Sequence, residues 1–304
     1  MNARHIWPPV PQWSTTELSR FGGRVLLLTA VAYLVIRVPE VGLAGLGGDA
    51  APYWLGKLLL DVLVLGYVAA RARWTGPKLV GALAVVYVGL QVVSFVEIYL
   101  YGMITWPDML AWTGGSLLQG AAIVALVVVG FSKLWGEEAP VPDERLQFPP
   151  AEWAWKLLVL AVVFLVLMIV AGLVVFEGIA GVVDPQARAG YEIVEPPAWI
   201  LPFQLVRGTI FTMLLIPIVY LFDGGVRETQ GTVALLFATL LASNMIVGYD
   251  SVPGLLWMAH FFELFLQAFV FGLLAVWLLS RRHHPLQTLR GRIGLLSEPA
   301  DAAD

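Results

Sequence analysis

The sequence predicts an all-α integral membrane protein, a polytopic bundle of eight transmembrane helices. The first observation is composition: 59% of the 304 residues are hydrophobic and only 13% are charged, whereas soluble domains carry about a quarter charged residues. The second is that the apolar residues lie in runs of about 20, the length that a helix needs to cross a bilayer. The third is that Lys and Arg cluster at alternate connections between these runs, as in multi-pass membrane proteins.

Composition also excludes several classes of function. The chain has no cysteine, so disulfides, thiol nucleophiles and thiolate metal sites are excluded. The formal net charge of −4 argues against nucleic acid as a partner. We therefore expect the lipid bilayer as the surrounding partner, a small solute or a lipid as the candidate ligand, and no cofactor.

The first four spans are predicted within residues 21–135, after a polar, Pro-rich segment at 1–20 that we expect to be cytoplasmic. Ser14 and Glu17 have the spacing of a capping box before the first span. Pro39 is predicted to end that span, because proline removes a helical hydrogen bond. Charged residues or Pro mark the other ends. The predicted spans are 21–38, 53–70, 79–101 and 107–131.

Four more spans are predicted within residues 153–282, after a polar cytoplasmic linker at 136–152. The fifth is apolar all round and is expected to face lipid, with a long loop at 178–197 after it. Pro217 predicts a kink in the sixth. The segment 283–304 has the composition of a cytoplasmic, partly disordered tail. The predicted spans are 153–176, 198–222, 229–249 and 253–280.

The distribution of positive charge predicts the orientation of the chain. With the N-terminus in the cytoplasm, 14 of the 18 Lys and Arg residues fall on the inner side, and only Arg37, Lys57, Arg188 and Arg207 belong to the outer half. Inner loops of membrane proteins carry such an excess. Because eight is an even number of crossings, we expect both termini to be cytoplasmic. We expect the membrane to be the plasma (inner) membrane.

The two halves of the chain contain a weak internal similarity. The fourth span begins WPDMLAW and the eighth begins VPGLLWM, and each carries a glutamine near mid-membrane, Gln119 and Gln267. Four helices per half would make this a parallel repeat. Apolar segments with Pro and Trp at an interface also resemble one another without duplication, so both interpretations stay open.

Polar side chains concentrate at one depth in the membrane. On the last span, His260, Glu263 and Gln267 follow at i, i+3 and i+7 and form one stripe on an apolar helix. Charged residues of three other spans also lie about four to ten residues from the outer end of their helix. Ionisable groups within a membrane face protein or water, so we expect one polar cavity open to the outside. The candidate ligand- or proton-binding residues are His260, Glu263, Asp61, Arg207, Glu97, Lys57 and Gln267.

Three functions are compatible with this layer. The leading one is binding of a small polar or charged solute, or of protons, for transport or sensing, because three carboxylates outnumber the Arg and the Lys and one of them could carry a proton. The second is an intramembrane enzyme acting on a lipid-linked substrate at the outer leaflet. The third is a structural subunit of a membrane complex, in which pairs such as Arg207–Glu263 and Lys57–Asp61 hold the bundle together.

The enzyme hypothesis assigns roles to four of the same residues. His260 would be the general base, oriented by Glu263, while Arg207 and Lys57 would hold a phosphate. A metal site is disfavoured, because zinc sites use more nitrogen or sulfur ligands than one intramembrane histidine supplies. The leading hypothesis therefore assigns no catalytic residue.

Overall fold

The computed structural model describes residues 13–138, 146–190, 199–248 and 252–281. In these ranges the chain is an all-α bundle with eight helices long and apolar enough to cross a membrane, as the sequence predicts. The short α6 adds a surface turn, and no strand occurs in the described ranges. The helices are α1 Thr15–Val41, α2 Ala51–Ala70, α3 Gly76–Leu100, α4 Trp106–Gly130, α5 Pro150–Val183, α6 Pro185–Gly190, α7 Ile200–Leu221, α8 Val226–Val247 and α9 Leu256–Leu279.

The first helix starts as predicted but does not end where proline suggests. Ser14 Oγ accepts a hydrogen bond from Glu17 N, and the Glu17 carboxylate accepts one from Ser14 N at 2.8 Å, so the capping box is present. The prediction that the helix ends at Pro39 is wrong. The helix continues past Pro39, which removes only the one hydrogen bond that its own N–H would donate, and it ends at Val41, before the cap residue Gly42, whose φ of 66° is readily adopted by glycine.

The fifth span is longer than predicted. Residues 178–183 were expected in a loop but continue α5, which passes through a π turn at Ala171–Phe176 and ends at Val183. A pairing beyond the span stabilises this extension: Arg188 on α6 lies 2.7 Å from the Glu177 carboxylate. At its other end, α5 begins at Pro150, inside the predicted linker. The predicted tail and parts of the predicted N-terminal segment, linker and second loop (1–12, 139–145, 191–198 and 282–304) lie outside the described residues.

The helix ends meet at two faces of the bundle. We call the face at which α1 begins and α9 ends the terminal face, and the other the opposite face. At the terminal face the ends of α2 and α7 exchange two backbone hydrogen bonds, from Arg73 N to Leu221 O and from Asp223 N to Arg71 O, both at 2.8 Å. This exchange joins the two halves of the chain directly.

Four phenylalanines fill the centre of the second half. Phe164 on α5, Phe211 on α7, Phe237 on α8 and Phe271 on α9 are fully buried, with ring centroids 5.2–5.6 Å apart in mostly edge-to-face contacts. Each such pair contributes about 0.5–1.5 kcal/mol beyond the area it buries. The cluster therefore fixes the relative depth of four helices.

The contacts between helices follow the same pattern in both halves. In the first half α1 contacts α2 and α4, and α3 contacts α4; in the second half α5 contacts α7 and α9, and α8 contacts α9. Between the halves, α2 contacts α8 and α3 contacts α7. These contacts are unchanged when the halves are exchanged, whereas α7 also contacts α8 without a comparable contact between α2 and α3. The span of α5 is the least buried of the eight, at 22%, in keeping with the uninterrupted apolar stretch at residues 157–176.

Candidate functional site

Lys57 and Asp61 belong to a closed network on the first half's side. Lys57 Nζ lies 2.6 Å from Asp61 Oδ2, and Tyr87 OH donates to the same oxygen at 3.1 Å. Ser243 Oγ, where α8 is interrupted, donates to Asp61 Oδ1 at 2.8 Å. The Lys57 and Asp61 side chains are 2% and 0% exposed. With its charges matched and both carboxylate oxygens bonded, the network joins α2, α3 and α8 and presents no unsatisfied group to a ligand.

Arg207 on α7 pairs with Glu97 on α3 rather than with Glu263. Arg207 Nη1 lies 2.5 Å from Glu97 Oε2, and Gln204 Nε2 donates to Glu97 Oε1 at 2.5 Å. Tyr101 follows one turn after Glu97. Burial raises the pKa of the Tyr101 phenol, the Glu97 carboxylate adds to the shift, and Arg207 opposes it. The pair carries no net charge, but Arg207 Nε is buried without a hydrogen-bond partner among the described residues.

His260 and Glu263 form a hydrogen-bonded pair one to two turns into α9. His260 Nδ1 lies 3.1 Å from Glu263 Oε2, and their side chains are 26% and 17% exposed. The π turn of α5 lies against this pair: Phe176 stacks on the His260 ring at 4.4 Å, and a Cβ on Gly172 would lie 3.6 Å from Glu263 Oε1. Single π turns inside α-helices occur frequently at functional sites. The pair is therefore less enclosed than Lys57 and Asp61.

Gln267 lies one turn deeper than Glu263 on the same side of α9. It is 4% exposed, and its Nε2 has no hydrogen-bond partner in the described part of the chain. One turn further on is Phe271, whose ring contacts that of Phe164 at 5.3 Å. The guanidinium of Arg207 lies 5.4 Å from the same Phe164 ring. Arg207 Nε and Gln267 Nε2 are thus buried donors without a partner in the described ranges, and both lie towards the opposite face from the Phe164–Phe271 contact, which we call the aromatic floor.

These contacts divide the predicted layer into a closed part and an open part. The closed part is the Lys57–Asp61 network. The open part, which we call the α5–α7–α9 site, comprises His260 and Glu263 against the π turn, Gln267 one turn deeper on α9, and Arg207 on α7 with its partner Glu97. Six of the seven predicted residues make polar contacts with one another or with their neighbours, Gln267 Nε2 has no partner among the described residues, and their role in binding stays a prediction.

The sequence analysis missed a further buried ion pair, which lies at the terminal face. Glu152 and Lys156 in the first turns of α5 lie 2.8 Å apart and are 2% and 0% exposed. Lys156 Nζ also donates to Arg281 O at 2.5 Å and lies 3.3 Å from the Phe148 ring centre. The pair therefore ties the start of α5 to the end of α9. Its i,i+4 spacing was the available signal, but an ion pair near a helix end is more often exposed.

Further contacts join helix ends at the same face. The Arg71 guanidinium lies 3.0 Å from Glu228 Oε1, and Tyr67 OH donates to that oxygen at 2.9 Å. Lys133 Nζ donates to Ala72 O at 2.9 Å, and burial lowers the pKa of the Lys133 ammonium. These contacts support packing at the terminal face and lie apart from the α5–α7–α9 site along the helices.

Comparisons with known proteins do not assign the chain to a family. No protein-family model matches it, and neither a curated protein nor a solved structure is significantly similar to it. Among the described residues, no group of three or more His, Asp and Glu side chains could hold a metal ion. The function is therefore inferred from the contacts and charges of the site.

Proposed function

We propose that this multi-pass membrane protein binds a small polar solute at the α5–α7–α9 site, reached from the opposite face. The observation that carries the proposal is that two buried donors, Arg207 Nε and Gln267 Nε2, have no hydrogen-bond partner in the part of the chain that the structure describes. Roughly 90% or more of buried polar groups in proteins are hydrogen-bonded, and leaving one unpaired costs about 1–3 kcal/mol. A bound solute that accepts hydrogen bonds would recover this cost.

His260 and Glu263 give the site its ionisable groups. Lys57 and Arg207 each have a carboxylate partner, so Glu263 is the carboxylate for which no Lys or Arg remains within the layer. Imidazole is the side chain that ordinarily changes charge between pH 5 and 8. The pair can therefore contact a cationic group or exchange a proton with the solution, which fits transport or sensing. With the predicted orientation, the solute would enter from outside the cell.

The enzyme hypothesis keeps one supporting observation, the hydrogen bond between His260 and Glu263. An imidazole oriented by a carboxylate is the arrangement of a general base. The groups assigned to hold a phosphate fit less well, because Arg207 is neutralised by Glu97 and Lys57 is enclosed with Asp61. Solute binding requires only the two buried donors that lack partners among the described residues, Arg207 Nε and Gln267 Nε2, so it is the better-supported function.

The test compares two buried glutamines that differ in their hydrogen bonding. Gln91 on α3 is 2% exposed, and its amide donates to Leu240 O at 3.0 Å and accepts from Asn244. Gln267→Met removes an unpaired donor and should leave the thermal stability of the purified protein unchanged or higher. Gln91→Met breaks two hydrogen bonds and should cost about 0.5–2 kcal/mol.

The same variants are then heated with a panel of amines, carboxylates and polyols. We expect at least one solute class to raise the unfolding temperature of the wild type and of Gln91→Met, but not of Gln267→Met, since a ligand stabilises only the state that binds it. If no class stabilises the wild type, or if Gln267→Met responds like the wild type, the proposal is wrong.

A further inference from the structure

We infer that the solute of the α5–α7–α9 site is a small organic cation that also carries a hydrogen-bond-accepting oxygen. This inference rests on the proposed function and narrows it to a class of ligand. It is carried by two independent properties of the site, the sum of its charges and the direction of its unused hydrogen bonds.

The charges of the site favour a cation. Arg207 contributes one positive charge, while Glu97 and Glu263 contribute two negative charges, which leaves −1 when His260 is neutral. The facing π turn, AGLVVF, contributes no charge. Beyond it, Glu177 and Arg188 neutralise each other. Because a net charge within the membrane is costly, a monovalent cation beside Glu263 would be favoured over an anion or a neutral molecule.

The two donors that lack partners require that this cation also carry a hydrogen-bond acceptor. Arg207 Nη1 is engaged with Glu97 at 2.5 Å and with Gln204 at 3.4 Å, but Nε has no partner among the described residues. Gln267 Nε2 is in the same condition. A proton or an alkylammonium group cannot accept from these donors, whereas a hydroxyl or carbonyl oxygen can. An ammonium at Glu263 and an oxygen towards Arg207 and Gln267 would satisfy both sides.

The aromatic floor is compatible with the same class of ligand. Phe164 and Phe271 contact one another on the side of Gln267 away from the opposite face, and their rings would give a short carbon skeleton an apolar neighbour. A small amine with one oxygen therefore matches the donors, the carboxylate and the floor together.

Four probes separate these requirements. Ethanolamine carries both the cation and the oxygen, ethylamine lacks the oxygen, glycolate lacks the cation, and ethylene glycol is neutral. Each is added to the purified full-length protein at matched concentration, pH and ionic strength, and the shift in unfolding temperature is measured. We expect the largest shift with ethanolamine, a smaller one with ethylamine, and none with glycolate.

Variants then assign the two contacts. Glu263→Gln should remove the preference for the amines over ethylene glycol, and Gln267→Met should reduce the ethanolamine shift to that of ethylamine. Glu40→Gln changes a carboxylate near the opposite face that is 49% exposed, and it should leave every shift unchanged. Because Gln267→Met alters no charge, it tests the inference even if Glu263→Gln does not fold.

The outcomes distinguish the ligand class from the site itself. A shift with glycolate or ethylene glycol that exceeds the ethanolamine shift, and that Gln267→Met abolishes, would overturn the cation inference and leave the proposed function standing. Equal shifts with ethanolamine and ethylamine would overturn the requirement for an oxygen. No shift with these probes or with the wider solute panel would overturn both the inference and the proposed function.

Discussion

At the scale of single residues, burial alone does not distinguish a binding group from a structural one. Asp61 is fully buried, which by itself would suggest a binding residue. Both of its carboxylate oxygens, however, accept hydrogen bonds, from Lys57, Tyr87 and Ser243. Gln267 is nearly as buried, but its amide nitrogen has no partner within the described ranges. A buried donor without a hydrogen-bond partner costs free energy that a ligand can recover. Gln267 is therefore a better marker of a binding site than Asp61.

The closed network predicts an unequal response to two variants. Asp61→Asn leaves the buried Lys57 ammonium without its counter-charge, and removing one partner of a buried ion pair typically costs about 3–5 kcal/mol. The double variant Lys57→Met with Asp61→Asn buries no charge and should lose less stability than Asp61→Asn alone. Thermal unfolding of the purified proteins measures both, and equal losses would contradict a closed ion-pair network.

At the scale of helices, glycine sets the closest approach in the second half. Gly272 on α9 lies against the backbone of α8: a Cβ at this position would come within 2.6 Å of Ala234 Cα. Small residues allow membrane helices to approach in this way and to gain van der Waals contact. This approach holds α9, which carries three of the predicted site residues, against α8.

Two glycine-to-alanine variants test this packing. Gly272→Ala must separate α8 from α9 and should cost about 1–3 kcal/mol, as overpacking does. Gly81→Ala on α3 places its methyl in open space, with nothing within 4 Å, and should be neutral or stabilising by up to about 1 kcal/mol. Unfolding of the two variants side by side gives the comparison. A Gly272→Ala protein as stable as Gly81→Ala would mean that the two helices are not in close contact.

At the scale of the whole molecule, the contacts between helices have the symmetry that a four-plus-four parallel repeat requires. The halves exchange equivalent hydrogen bonds at the terminal face, where α2 and α7 end. The two glutamines that the sequence pairs across the halves, Gln119 and Gln267, both have an amide nitrogen without a partner within the described residues. These observations support the repeat, which stays a prediction together with the proposed division into halves at 21–135 and 153–282.

Orientation is the prediction that decides which side of the membrane the solute comes from. Trp135 at the terminal face and Val182 at the opposite face are 84% and 83% exposed, and the chain has no cysteine of its own. In intact cells, a membrane-impermeant thiol reagent should label Val182→Cys and should reach Trp135→Cys only after permeabilisation. The reverse pattern would invert the positive-inside argument and place the α5–α7–α9 site on the cytoplasmic side.

The sequence by itself determined the fold class, the eight spans and the polar stripes on individual helices. Hydropathy and helical spacing are local properties, so a helix and its polar stripe, such as His260, Glu263 and Gln267, can be predicted without knowing its neighbours. The capping box at Ser14 is local in the same sense. The ends of α1 at Val41 and of α5 at Val183 were less predictable from the sequence. The first depends on the cap residue Gly42 and the second on the Glu177–Arg188 ion pair.

Only the tertiary structure decided which polar groups meet. Helix rotation and depth depend on contacts between distant parts of the chain, such as the four central phenylalanines. For this reason Arg207 contacts Glu97 instead of Glu263, Asp61 is enclosed by residues of α3 and α8, and Gln267 Nε2 has no partner among the described residues. The tertiary structure thus separates the polar residues into the hydrogen-bonded Lys57–Asp61 network and the α5–α7–α9 site, in which two buried donors lack partners among the described residues. The sequence could not show this, because hydrogen bonding is a property of pairs of groups and not of single residues.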